Sequence, residues 1–310
     1  VQNLRLVFAG TPAAAVPSLE RLAKTGHTLV GVVTRPPAPL GRKRILTPSP
    51  VAEAADRLGI PVIAASRLDA DATAAIEALR PDLGVIVAYG GLVREPLLSA
   101  PRHGWINLHF SLLPAWRGAA PVQHALMAGD TVTGASVFQL VPQLDAGDVF
   151  ATVSHPIDEA DTAEDLLAAL AASGADLVAE VVDAIAAGTA HAEPQTGDPS
   201  LAPKLTIDDA RLDWRRPAHE VRSRFRGVTP EPGAWTTIGD DRLKVLDLAE
   251  AAPSDVPALE PGGIALAGGR LLIGTGTAPL ELRRVQPAGR TAMDAADWWR
   301  GAARAAAVVR

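Results

Sequence analysis

From residue 4 to residue 187, short apolar runs alternate with longer segments rich in Ala and Leu. The run LRLVFAG (4–10) predicts a strand. PAAAVPSLERLAKTG (12–26) predicts a helix, with Pro12 at its first position and Gly26 just past its end. Strands are predicted at HTLVGVVT (27–34), IPVIAA (60–65), LGVIVAY (83–89) and WINLHF (105–110), with helices near 50–58 and 70–80. A helix over 121–127 closed by Gly129, strands at 133–141 and 149–155, and an Ala-rich helix over 161–187 complete this half. Strands alternating with helices predict an α/β domain, a mostly parallel sheet covered on both faces.

After Gly188 the pattern changes. GTAHAEPQTGDPSLAPK (188–204) is rich in Pro, Gly and polar residues and reads as a linker. Beyond a helix at 217–226 come AWTTIG, RLKVLDLAE, GGIALAG, RLLIGTG and PLELRRVQ, short strands with Gly turns between them. That spacing predicts a small β-barrel. The expected organisation is a catalytic-type α/β domain over 1–188, a linker over 189–204 and a β-barrel domain over 205–310.

Composition narrows the classes. At 310 residues, 48% hydrophobic and 21% charged, the chain is long enough for two packed domains. It has no cysteine, which excludes disulfides, thiolate metal sites and a thiol nucleophile. No window approaches a membrane span and the first ten residues carry no signal-peptide pattern, so a cytoplasmic protein without a membrane partner is expected. The net charge of −6 excludes a uniformly basic nucleic-acid binder. Locally the picture differs: Arg35 to Val51 holds Arg35, Arg42, Lys43 and Arg44 and no acid, with prolines and Gly41 suited to a mobile loop. A second cluster, Lys204, Arg211, Arg215, Arg216, Arg222, Arg224 and Arg226, is diluted by Asp208, Asp209, Asp213 and Glu220. Each is either a phosphate contact or a solvated face.

Candidate chemistry starts with the turn FAGTPAA. A dinucleotide site would place further glycines where Pro12 and Ala15 stand, and an acid after the second strand, where Thr34, Arg35 and Pro36 stand. NAD binding is not expected. Gly10, Thr11 and Pro12 remain a tight strand-to-helix turn that could face a polar substrate or simply permit the turn. In WINLHFSLLP, strand alternation puts Asn107 and His109 on one face. Asp145 lies in the acidic Gly turn QLDAGDVF. In a parallel sheet, ligands bind at the edge where the strands' carboxyl ends collect, and the three could converge there. An amide donor, an imidazole and a carboxylate suit acyl or formyl transfer to an amine: one donor for an oxyanion, one base, one group to orient the base. The residues alone leave a second reading open, a satisfied core histidine with Asp145 capping a turn. None of the seven histidines shows H-x-x-x-H or H-E-x-x-H spacing, and no metal is expected.

The stretch INLHFSLLPAWRGAAPVQHALMAGDTVTGASVFQLVPQLDAGDVF (106–150) resembles the signature of the folate-dependent formyltransferases, N-x-H-x-S-L-L-P, then R-G, P, G-D, T-G and D-x-G-D. Within that family the whole chain is most similar to the members that formylate initiator methionyl-tRNA: LRLVFAGTP (4–12), GRKRILTPSPV (41–51), VIVAYGGLV (85–93), KLTIDDARLDW (204–214), PGAW (232–235) and QPAGRTAM (286–293) carry the likeness. The resemblance implies a Rossmann-like domain followed by an OB-like barrel, with Asn107, His109 and Asp145 as the catalytic trio. It implies 10-formyltetrahydrofolate as co-substrate, with no tightly bound cofactor. The folate would lie against Val87, Ala88, Tyr89, Gly90, Gly91 and Leu92 and against Ser111, Leu112, Leu113 and Pro114. Initiator methionyl-tRNA would meet Arg35, Arg42, Lys43, Arg44 and Lys204, and the protein would be a monomer. A formyltransferase acting on a sugar-nucleotide amine, or a non-catalytic folate- or RNA-binding module, are the rival readings. Two positions depart from the family pattern: Ala115 where a basic residue is common, and Glu231 where the family has Trp.

Overall fold

The computed structural model of the protein describes residues 3–41, 44–251 and 258–301. They form two compact units. The first comprises the chain up to Pro121, then 132–156 and 167–203; the second comprises 122–131, 157–166 and the chain from Lys204 onward.

In chain order come β1 (Arg5–Gly10), α1 (Val16–Leu22), β2 (Thr28–Thr34), β3 (Ala38–Leu40), β4 (Ile45–Thr47), α2 (Pro50–Arg57), β5 (Val62–Ala64) and α3 (Ala70–Ala78). These are followed by β6 (Leu83–Val87), β7 (Trp105–His109), β8 (Arg117–Gly118), α4 (Pro121–Ala128), β9 (Val132–Gln139), β10 (Val149–Pro156), α5 (Ala163–Ala187) and β11 (Leu201–Ala202). The second unit continues through α6 (Ala218–Gly227), β12 (Trp235–Ile238), β13 (Asp241–Glu250), β14 (Ile264–Ala267), β15 (Arg270–Ile273), β16 (Leu280–Pro287), β17 (Met293–Asp294) and α7 (Ala295–Gly301).

The first unit is built on a seven-stranded sheet in the order β10-β9-β7-β6-β1-β2-β5. The five strands from β7 to β5 are parallel, while β9 and β10 run antiparallel at one side. The inner parallel strands β1 and β6 read as unbroken apolar runs because both of their faces are covered, while β5 at the edge is largely exposed. All of β6 is buried, as is β1 from Leu6 onward. At the far edge, β10 alternates half-buried and exposed residues, the pattern of a one-sided edge strand. Strand order reverses between β1 and β6, and at such a switch point the carboxyl ends open a crevice. Paired register puts Gly10, Val87 and Leu108 in one row at that edge.

Helix starts follow local chemistry. Ser49 caps α2 by accepting from the Ala52 N–H at 3.0 Å, ahead of Pro50, and Asp69 caps α3 by accepting from Ala72 N–H at 3.0 Å. The helix expected over 12–26 is shorter. A 3-10 turn over Ala13–Ala15 precedes α1, which ends at Leu22, because Pro12 and Pro17 remove two donors from the first turns. The strand expected over 83–89 stops at Val87, since Ala88 turns to φ 48° and takes the chain off the sheet. The loop expected over 35–51 holds a short hairpin, β3 against β4, paired Ala38 with Thr47 and Leu40 with Ile45. Of the linker expected over 189–204, residues 189–203 group with the first unit: β11 pairs in parallel with β8, and Glu193 bridges to Val149.

The second unit has an antiparallel sheet in the order β12-β13-β16-β15-β14, with β17 on β16. Its core packs Leu212, Trp214, Val221 and Phe225 onto Leu243, Val245, Leu271 and Leu282. The Trp214 indole N–H donates to buried Thr236 Oγ1 at 2.9 Å. The strand-rich C-terminal domain is thus as expected. Among the described residues its end strands β12 and β14 do not pair, so the sheet is open there rather than a closed barrel.

Candidate active site

His109 closes β7 and is 6% exposed. Its Nε2 donates to the Trp116 carbonyl at 2.8 Å, and its Nδ1 lies 3.8 Å from Asp145 Oδ2. A carbonyl can only accept, so Nε2 carries the proton and Nδ1 is the ring's basic position. Burial pushes the imidazole below its ordinary value of 6.5; the Asp145 charge and the Trp116 carbonyl pull partly in the opposite direction. The resting ring is neutral at neutral pH. Asn107 stands two residues back on the same strand face, half-buried, and its side chain makes no hydrogen bond within the described residues. A free amide beside a neutral imidazole leaves one donor and one base unspent.

Asp145 sits in the turn between β9 and β10 at φ 45°, a left-handed conformation that Asp tolerates better than most residues. It is 9% exposed, and its Oδ2 accepts the Gly118 N–H at 2.8 Å. Gly118 itself is at φ 129°, and a Cβ there would come within 2.5 Å of the Ala202 carbonyl oxygen; only glycine lets β8 approach β11 and offer its N–H to Asp145.

The loop that follows His109 is braced from inside. Buried Ser111 donates through Oγ to the Ala115 carbonyl at 2.5 Å, and Ser136 Oγ donates to the Ser111 carbonyl at 2.7 Å and accepts Leu113 N–H at 3.1 Å. Leu112, Leu113 and Pro114 are half-buried. The Ser111 hydroxyl and carbonyl are therefore both spent inside the loop, and Ser111 braces it.

The other predicted positions fall into three groups. Gly10, Thr11 and the 87–90 loop come together: a Cβ on Gly10 would lie 2.9 Å from the Val87 carbonyl oxygen, and Thr11 Oγ1 donates to the Tyr89 carbonyl at 3.4 Å. Pro12, Ala88, Gly90 and Leu92 are exposed and Gly91 half-buried. Tyr89 is 1% exposed and its hydroxyl donates to the Ala65 carbonyl at 2.7 Å, so its ring faces the core and only its backbone borders the crevice. Arg35 joins this group through a 3.0 Å bond to the Gly90 carbonyl. Arg44 is exposed on the hairpin, and Arg42 and Lys43 lie outside the described residues. Lys204 is exposed and belongs to the second unit. Much of the second basic cluster is engaged within that unit: Arg215 pairs with Asp213 and Arg216 with Glu220, Arg224 donates to the Asp209 carbonyl, Arg222 pairs with Glu250, and Arg211 stacks 5.5 Å from the Trp235 ring centroid. Among the described residues no group of three or more His, Asp or Glu could hold a metal ion.

Sequence reasoning missed Gln195 and Ser200. The Gln195 amide reaches both the Asp145 turn and Arg117, and Ser200 Oγ accepts Trp116 N–H at 2.8 Å. No periodicity marks either residue; a polar segment that returns to a sheet over about 50–80 residues of separation has no local signal.

A family model described as formyl transferase matches residues 4–182, and one described as formyl transferase, C-terminal domain, matches residues 204–303. The chain belongs to the formyl transferase family. Curated members of this family are similar along nearly the whole chain. Methionyl-tRNA formyltransferase of Clavibacter sepedonicus is 64% identical over 298 residues, 96% of this chain and 97% of that protein. Methionyl-tRNA formyltransferase of Leifsonia xyli subsp. xyli is 61% identical, covering 96% and 98%. Among solved structures, an N-formyltransferase from Helicobacter canadensis in complex with folinic acid and dTDP-3-aminofucose superposes with a TM-score of 0.69 at 17% identity, over 92% of this chain and 99% of that one. At that identity the likeness shows the shared formyl transferase fold.

Proposed function

We propose that the protein transfers the formyl group of 10-formyltetrahydrofolate to the methionine amino group of initiator methionyl-tRNA. The observation that carries the reading is the juxtaposition of His109 with Asp145 at 3.8 Å, beside the unbonded amide of Asn107, at the carboxyl edge of the sheet. Its acceptor is argued from relatives named methionyl-tRNA formyltransferase at 61–64% identity.

In this mechanism the unprotonated amine attacks the formyl carbon directly, and no enzyme nucleophile is needed. The carbonyl electron pair moves onto oxygen, where the Asn107 amide donates to it. His109 Nδ1 takes a proton from the attacking nitrogen. The resulting imidazolium is stabilised by the Asp145 carboxylate, and its charge lies beside the oxyanion. Collapse reforms the C=O bond and breaks the bond to folate N10, which receives the proton from His109. One formyl group and one proton exchange places, and tetrahydrofolate and the formylated amine leave. The folate lies along the backbone of residues 87–92 and 111–114, with the 10–12 turn closing one side. The basic stretch of sequence 35–51, with Arg35, Arg42, Lys43 and Arg44, and Lys204 meet tRNA phosphates.

The testing experiment offers the purified protein 10-formyltetrahydrofolate with two acceptors in turn, methionine-charged initiator tRNA and a sugar-nucleotide amine, and with buffer alone as the control. Formyl transfer to the charged tRNA is expected. Transfer confined to the sugar amine, or folate binding without transfer, would overturn the reading.

A further inference from the structure

Three stretches far apart in sequence meet behind Asp145: residues 117–118, 145–147 and 195–202. Gln195 is half-buried at their centre. Its Nε2 donates to the carbonyls of Asp145 and Gly147, both at 2.8 Å. Its Oε1 accepts from Arg117 Nε at 3.2 Å and Nη2 at 2.6 Å. This orientation of the amide is unique, because carbonyls only accept and a guanidinium only donates. Every hydrogen-bonding position of the amide is therefore used, on two different segments at once.

Those segments are the two that hold the Asp145 carboxylate. The 145–147 turn carries it, and Gly118, next to Arg117, donates the N–H that fixes Oδ2. The same passage of chain also sets the other partner of the imidazole: Ser200 Oγ accepts Trp116 N–H at 2.8 Å, the Ser200 carbonyl accepts Arg117 N–H at 2.8 Å, and the Trp116 carbonyl accepts His109 Nε2–H. A left-handed turn at a non-glycine residue is held by its surroundings, not by its own preference. From this geometry we infer that Gln195 is a positioning residue for the transfer reaction: it clamps the Asp145 turn to the Arg117–Gly118 strand and so sets the spacing of carboxylate and imidazole. Gln195 touches neither substrate in this role and acts through Asp145. The inference rests on the proposed role of Asp145.

The test uses Gln195→Glu in the full-length protein, which keeps an acceptor for Arg117 but sets carboxylate oxygens against two carbonyl oxygens. At saturating substrates kcat is expected to fall by about 10–100-fold, the scale for misplacing a reacting group through its support. KM for 10-formyltetrahydrofolate is expected to stay within about 2-fold. In an Asp145→Ala background the same substitution should change kcat by less than about 3-fold, since a residue that acts through another has nothing left to act on. Gln195→Met, which removes both functions at similar size, should repeat the pattern and carries the test if the Glu variant does not fold. An equal loss in both backgrounds means general packing and overturns the inference. So does unchanged kcat in the Gln195 variants while Asp145→Ala is crippled, which leaves the reading of Asp145 standing. Full activity of Asp145→Ala would remove that reading itself, and this inference with it.

Discussion

Replacing Asp145 by Asn isolates its charge from its shape. Asn tolerates the φ of 45° as well as Asp does, and its side-chain oxygen can still accept the Gly118 N–H. What disappears is a unit negative charge 3.8 Å from His109 Nδ1. At an effective dielectric constant of about 20, a pair at that distance interacts by roughly 4 kcal/mol. A fully formed imidazolium would lose that stabilisation, about three pKa units or a factor of about 10³. A proton half-transferred in the transition state would lose about half as much, a factor of about 30. The expected result is therefore a 30- to 1,000-fold fall in the single-turnover rate at saturating substrates, measured by quenched flow, with the folate dissociation constant unchanged. A fall of less than about 5-fold would refute the reasoning, because no placement of a proton on His109 would then need the carboxylate.

Two further outcomes follow from the same geometry. Burial holds the His109 pKa below 6.5, and the proposed mechanism needs both the neutral ring and the unprotonated amine, so below pH 6.5 the rate should fall only as steeply as protonation of the acceptor amine requires, with a second proton uptake appearing only at the lower folded-state pKa of the ring; the unfolded chain takes up that ring proton first, so this group also subtracts stability as pH falls below about 6.5, readable in pH-dependent thermal unfolding. Arg42→Ala should weaken use of the charged tRNA and flatten the log–log salt dependence of its binding by about one unit, while transfer chemistry on bound tRNA is unchanged; an unaltered slope would mean this residue meets no phosphate.

How much of this was legible in the chain depends on the range of the interaction. Buried parallel strands announce themselves as apolar runs, so β1, β2, β6 and β7 and the shared face of Asn107 and His109 could be read directly. The end of β6 could not, because Ala88 adopts φ 48° without being a glycine. Nor could β3 and β4, three residues each, where Pro39 speaks against a strand by propensity and an edge hairpin tolerates it. The passage 189–203 shows the limit most clearly. Its composition is that of a linker, yet Gln195 and Ser200 make hydrogen bonds to residues on β8, just before it and in the Asp145 turn. Side-chain bonds across such separations leave no periodic trace. The grouping of residues 122–131 and 157–166 with the C-terminal unit is hidden for the same reason: contacts decide it, and no composition change marks it.

In the proposed mechanism His109 moves the proton of the transfer reaction. That role is tested most directly by single-turnover formylation of charged initiator tRNA with His109→Ala, alongside a binding measurement for the folate. The expected rate is lower by at least about 10², in the range for loss of a general base, with folate affinity close to that of the parent protein. A near-parental rate in a folded, folate-binding variant would contradict it.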